Sequence, residues 1–161
     1  VAKTPVEFTH NGEPEAVFVD DGQNLLDVLR RSVGDLTPKY GCGQGTCGAC
    51  TVLLDGAPVL ACLTLAVTVA GRAVETVAGL GSAGRLAAVQ QAFMEHFAAQ
   101  CGYCTDGMLM SATALLRANP RPTREEVVEA ISGNLCRCTG YEAIIAAILS
   151  AAERGGRAGV R

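Results

Sequence analysis

Eight cysteines in two groups of four constrain this chain more than any other feature. Cys42, Cys47, Cys50 and Cys62 form the first group, and Cys101, Cys104, Cys136 and Cys138 the second, with no cysteine from residue 63 to residue 100. The opening stretch, VAKTPVEFTHNGEPE, lacks the charged-then-apolar layout of a signal peptide, and no run of eighteen apolar residues is present to span a membrane. A cytoplasmic location is therefore expected. In a reducing compartment spaced cysteines serve metal or redox chemistry rather than structural disulfides. At 161 residues the chain makes one ordinary domain or two small ones. Two small domains would each bury little apolar surface and would need a staple such as a metal.

The first half reads as a small mixed α/β unit. Alternation in VEF and AVFV around Asn11-Gly12 predicts a tight hairpin. The segment 24–33, NLLDVLRRSV, puts Leu25, Leu26, Val28, Leu29 and Val33 largely on one helical face, with Gly34 as its C-cap. TVLLDGAPVLAC predicts a second hairpin turning at Asp55-Gly56, which returns Cys62 to the cysteine loop. AVTVAGRAVETV adds further short strand signals.

Between these elements, residues 41 to 50 (GCGQGTCGAC) hold three cysteines and four glycines. Thiolates are soft ligands suited to zinc, copper(I) or iron. C-x4-C-x2-C with a fourth cysteine well downstream is the plant-type [2Fe-2S] spacing, whereas structural zinc sites usually use two short cysteine pairs. Gly41, Gly43, Gly45 and Gly48 would let the backbone fold tightly around an inorganic core and turn its N–H groups toward sulfur. Such hydrogen bonds stabilise added negative charge and help set a reduction potential.

The second half has a different texture. Residues 84–99, 106–119, 124–132 and 141–154 carry apolar residues at three- and four-residue spacing and predict four helices. Thr123 with Glu126 forms a capping box, and Asn119-Pro120 closes the preceding helix. The small, flexible AGLGSAG of residues 78–84 reads as a linker between the halves. Cys101 and Cys104 precede the second of these helices, and Cys136 and Cys138 the fourth. Helix starts concentrate free N–H groups and positive dipole ends, which suit anionic sulfur. On chemistry alone, C-x2-C with C-x-C fits zinc as well as an iron–sulfur cluster.

QCGYCTDGM and GNLCRCTGY, together with GCGQGTCGACTV, resemble the signatures of the small iron–sulfur subunit of the xanthine oxidase family of molybdenum hydroxylases. The resemblance runs from about residue 6 to about residue 154, with both cysteine sets complete and in order. It implies an α+β chain: an N-terminal β-grasp, plant-ferredoxin-like domain (1–77), a linker (78–84) and an all-α four-helix domain (85–161), each domain with one [2Fe-2S] cluster. Carried over residue by residue, Cys42, Cys47, Cys50 and Cys62 bind the cluster distal to molybdenum, and Cys101, Cys104, Cys136 and Cys138 the proximal one. The same pattern sets Gln100 near the pterin of the molybdenum cofactor, where an amide offers an acceptor and two donors.

The implied partners are a large subunit carrying the molybdopterin cofactor and an acceptor subunit, an FAD-binding medium subunit in many relatives and a cytochrome-type protein in others. One departure is visible: the family commonly has Thr-Pro-Gly after the second proximal cysteine, and this chain has Thr105-Asp106-Gly107. Aspartate there suits the N-terminal end of a helix dipole, and a carboxylate beside a cluster would lower its potential or alter docking.

The remaining candidates read as structural. His10 and His96 lack the cysteine neighbours of a Rieske site. Met94, Met108 and Met110 read as helix packing, and Tyr103 as packing or as a shield over its cluster. The glycine pairs 43/45 and 79/81 do not make a nucleotide fingerprint. A net charge of −3 with scattered Lys and Arg offers no surface for nucleic acid. Nothing resembles a nucleophile paired with histidine or a general base in a substrate pocket. The expected role is therefore electron transfer within an oxidoreductase complex, the catalytic residues belonging to another chain. An independent ferredoxin-like carrier and a zinc-stapled interaction module are the alternatives.

Overall fold

In the computed structural model, which describes residues 3–81 and 84–158, the first chain reversal is local chemistry. Asn11 (φ 51°) and Gly12 (φ 90°) both take left-handed backbone, the twist that joins β1 (Thr4–His10) to β2 (Glu13–Val19). Asp55 (φ 50°) and Gly56 (φ 82°) repeat the device between β3 (Thr51–Leu54) and β4 (Ala57–Leu60). With β5 (Ala73–Glu75) these strands make one mixed sheet of order β2-β1-β5-β3-β4, parallel only where β1 meets β5.

The helix expected over 24–33 starts as predicted but does not stay regular. Asn24 caps α1 (Leu25–Val28) by accepting from the Asp27 N–H at 2.8 Å. From Leu29 to Val33 the winding widens to a π-helical turn that ends at Gly34 (φ 86°). Leu29 O accepts from both Gly34 and Asp35 N–H, the latter at 2.8 Å. The wider turn draws Asp35 inward, where its carboxylate accepts from His10 Nε2 (3.0 Å), Thr76 Oγ1 (2.5 Å) and the Thr37 N–H and hydroxyl (2.9 and 2.7 Å). Local apolar spacing reports none of this. A second correction falls on AVTVAGRAVETV: only Ala73–Glu75 is a strand, and Ala66–Val69 is a 3-10 turn that seats Ala66 and Val69 in the core.

Leu25, Leu26, Val28 and Leu29 pack under the sheet against Val6, Phe8, Val19, Val52 and Leu54. Beyond β5 the described residues form the helices α2 (Ala88–Glu95), α3 (Thr105–Ala118), α4 (Arg124–Ile131) and α5 (Glu142–Ala158). Their core holds Val89, Phe93, Met108, Leu109, Val127, Ile131, Ile144 and Ile148. A mixed sheet with a helical second part is the expected α+β order. Met108 and Met110 pack as expected, whereas Met94 is 64% exposed.

The first of these helices is shorter than the predicted 84–99. Gly84 is left-handed (φ 79°) before it, and Phe97 (φ 51°) is left-handed after it, so the chain turns out of the helix and buries Ala98. The Thr123 capping box is present: Thr123 Oγ1 accepts from the Glu126 N–H at 3.2 Å, and Glu126 returns a carboxylate to the Thr123 N–H at 2.7 Å. The expected linker 78–84 begins inside a 3-10 turn, Val77–Gly79, and residues 82–83 lie outside the described residues. No helix among the described residues is long and apolar enough to cross a membrane.

Candidate metal centres

The first four cysteines converge because a hairpin and a loop meet. Cys50 precedes β3 and Cys62 follows β4, so the β3–β4 register sets them side by side, both buried. Cys42 and Cys47 belong to the loop before β3, where their thiols face each other. The set thus divides into two pairs, Cys42 with Cys47 and Cys50 with Cys62. Left-handed backbone at Gly43 and Gly45 curls the loop so that its N–H groups point inward. The Thr46 N–H donates to Cys42 Sγ at 3.3 Å, and those of Gln44 and Cys47 also face Cys42. The Ala49 N–H faces Cys47, and the Cys62 N–H faces Cys50. A Cβ on Gly41 would stand 2.6 Å from Cys47 Sγ, so glycine there leaves the sulfur its room.

The second four are held by helix ends. Cys101 lies between α2 and α3, Cys104 is the residue before α3, and Cys136 and Cys138 lie between α4 and α5. Cys101 and Cys138 have their sulfurs 3.5 Å apart, and Cys104 faces Cys136. Thr139 gives Cys136 Sγ its hydroxyl at 3.0 Å and its N–H at 3.4 Å, and the Tyr103 N–H faces Cys101. The Cys136 N–H in turn donates to the Tyr141 hydroxyl at 2.9 Å.

Each set mixes thiols of opposite tendency. Hydrogen bonds, first from the Thr46 hydroxyl and then from backbone N–H groups, bring the Cys42 thiol down to about 5. Burial pushes Cys50 and Cys104 up to about 12. The Tyr103 N–H lowers Cys101, and Cys138 is raised chiefly by the Cys101 thiol beside it. Metal binding requires all of them as thiolates, so inward N–H groups favour the form that binds.

A binuclear centre takes two thiolates to each iron, and each set offers four neighbouring thiols whose nearest partners fall into two pairs. A tetrahedral zinc site would draw four sulfurs to about 2.3 Å from one point. Soft donors in two pairs, ringed by N–H groups, therefore fit a [2Fe-2S] cluster at each set.

The two loops touch. Leu135 N–H donates to Cys47 O at 2.9 Å, and Asn134 Nδ2 donates to Gly48 O at 2.9 Å and to Thr51 Oγ1 at 3.3 Å. Ser111 Oγ donates to Asn134 Oδ1 at 2.7 Å, which leaves that buried amide fully engaged. Gly48 (φ 70°) and Gly107 permit the approach: a Cβ on Gly48 would collide with Gly133 O, and one on Gly107 with Gly48 O. Tyr103 donates its hydroxyl to Tyr40 O at 2.6 Å, and Lys39 Nζ meets Asp106 Oδ2 at 2.5 Å. Sequence reasoning missed Lys39 and Asn134, because a buried amide and a cross-loop ion pair announce themselves only through distant partners. Gln100 is exposed, its Nε2 donating to Cys138 O at 3.3 Å, so it stands at the edge of the second set.

Comparison with known proteins agrees with this geometry. Residues 8–67 match the 2Fe-2S iron-sulfur cluster binding domain, and residues 76–149 match the [2Fe-2S] binding domain. The nicotine 6-hydroxylase small subunit of Paenarthrobacter nicotinovorans is 52% identical over 92% of this chain and 90% of that protein. The nicotinate dehydrogenase small FeS subunit of Eubacterium barkeri is 45% identical over 94% of this chain and 97% of its own. Among solved structures, a chain of quinoline 2-oxidoreductase from Pseudomonas putida 86 superposes with a TM-score of 0.94 at 49% identity, covering 99% of this chain and all of that one. This chain belongs to the small [2Fe-2S] iron–sulfur subunits of the xanthine oxidase family of molybdenum hydroxylases.

Proposed function

We propose that this chain is the electron-transfer subunit of a cytoplasmic molybdenum hydroxylase, passing electrons singly from the molybdenum cofactor of a large partner subunit toward an FAD-binding or cytochrome-type partner. The observation that carries the reading is the double set of paired thiols, each pair ringed by N–H donors, on two loops hydrogen-bonded to each other. When bound, each [2Fe-2S] cluster supplies one-electron redox chemistry. Cys101, Cys104, Cys136 and Cys138 hold the proximal cluster, with two ligands exposed beside Gln100. Cys42, Cys47, Cys50 and Cys62 hold the distal one, whose Cys50 and Cys62 are buried. Gln100 keeps one amide hydrogen bond to Cys138 O and offers its remaining groups to the pterin.

The domain organisation is 1–77, linker 78–84 and a four-helix domain 85–161. The relatives named above carry nicotine, nicotinate and quinoline in their names, and a nitrogen heteroaromatic is accordingly the substrate class assigned to the large subunit. The test is purification from the native host. A large molybdopterin-containing chain should accompany this one, with about four irons per small subunit and two distinct [2Fe-2S] signals by electron paramagnetic resonance. Stoichiometric zinc, or an iron-loaded chain that runs alone, would overturn the reading. Within the complex, Gln100→Leu should slow cluster reduction by substrate in rapid mixing while iron content stays unchanged.

A further inference from the structure

The structure gives Asp106 a partner in the other half of the chain. The aspartate is the second residue of α3 and lies two residues after Cys104. Lys39 lies three residues before Cys42, and its N–H is bonded at 3.0 Å to Ala49 O, between Cys47 and Cys50. The ammonium also donates to Leu36 O at 3.1 Å and Thr37 O at 3.0 Å, so all three of its donors are used and it is anchored on the first loop. The carboxylate is anchored on the first turn of α3. Both side chains are mostly covered, at 29% and 20% exposure, so solvent screens them less than a surface pair. The result is an ion pair across the seam, its ammonium held from the segment that leads into the first cysteine loop and its carboxylate from the first turn of the helix that follows Cys104.

Resting on the electron-transfer reading above, we propose that the Lys39–Asp106 pair tilts the two reduction potentials apart, raising the one at the Cys42 set and lowering the one at the Cys101 set, and so favours electron flow from the second site to the first. Reduction adds one negative charge to a site, with no bond broken and no proton moved. A nearby ammonium eases that addition and a nearby carboxylate opposes it. Neither residue is a ligand; both are positioning residues that act through charge. Two opposite charges cancel at long range, so the pair changes the difference between the potentials more than their mean.

The test is redox titration of the intact complex, followed by the electron paramagnetic resonance signals of the two centres. Asp106→Asn should shift both potentials upward, the Cys101-set centre more, and narrow the gap. Lys39→Met should shift both downward, the Cys42-set centre more, and narrow it too. The double variant should bring the mean back near wild type while leaving the gap narrowest, and Asp106→Glu should retain the gap. A gap unchanged in the double variant, or an Asp106→Asn shift as large at the Cys42-set centre as at the other, would overturn the proposal. A wild-type protein without two [2Fe-2S] signals would instead overturn the electron-transfer reading on which it rests.

Discussion

The two cysteine sets reach the same donor chemistry by unlike architectures. The first is wrapped by a glycine-rich loop that feeds into a hairpin, and it sinks Cys50 and Cys62 to 3% and 8% exposure. The second is assembled from the ends of α2, α3, α4 and α5, and it leaves Cys101 and Cys138 exposed. A loop can close over its contents because left-handed residues let it curl, whereas helix ends project their free N–H groups outward from rigid rods. The first site is thus insulated on its sheet side, and the second keeps an open edge where Gln100 stands. On the proposed reading, that open edge is the one that faces the partner's cofactor.

The largest expected effect tests whether the sets are separable. Cys50→Ser should lower iron from about four to about two per chain and remove one paramagnetic signal, and Cys104→Ser should do the same to the other. Loss of both signals from either variant would break the comparison, by showing that the hydrogen-bonded loops load only together.

The seam between them is the next target. Gly48→Ala forces a Cβ onto Gly133 O at a left-handed position and should cost about 3 kcal/mol, seen as a fall in the thermal midpoint. Asn134→Ala removes the amide that holds Gly48 O and Thr51, and leaves Ser111 without its acceptor, at about 2 kcal/mol. A smaller loss from Gly48→Ala than from Asn134→Ala would show that the backbones can part without penalty.

Asp35 separates the halves by pH. Burial would raise its pKa, but the hydrogen bonds from His10, Thr76 and Thr37 outweigh that and hold the carboxyl well below its ordinary value of 3.8. A depressed folded value means that the unfolded chain takes the proton first. The stability it contributes is therefore complete above about pH 4 and is lost as the pH falls below that. Asp35→Asn should cost about 2 kcal/mol at neutral pH and reduce the acid sensitivity of the sheet half, measured by amide exchange in β1 and β5. An unchanged acid profile would show that another group governs it. The smallest effect belongs to Thr123→Ala, which uncaps α4 away from both cysteine sets and should cost about 1 kcal/mol with both signals intact.

Much of this is legible in the sequence alone, and what is legible is local. Asn11-Gly12, Asp55-Gly56 and the Thr123–Glu126 box each settle their own few residues, so their signals survive in the sequence. The cysteine spacing was legible for a related reason: a ligand set is a list of residue types at set intervals, and its chemistry is that of sulfur. The helix expected over 24–33 forms and ends at Gly34, but its second half widens into a π turn as Asp35 is drawn to His10 and Thr76; the strand signals of AVTVAGRAVETV hold only at Ala73–Glu75, because Ala66–Val69 is a turn that buries Val69. The end of α2 was overrun because no local signal marks Phe97 as left-handed.

The sequence by itself determined which atoms can bind metal and roughly where helices and strands begin. Only the tertiary structure decided that the thiols fall into pairs, that Gly48 meets Gly107 and Asn134, and that Asp106 answers Lys39. The partners across the seam lie tens of residues apart, and each of those contacts exists only once two separate hydrophobic cores have brought their loops together. Short-range propensity carries no information about a distance that packing alone sets.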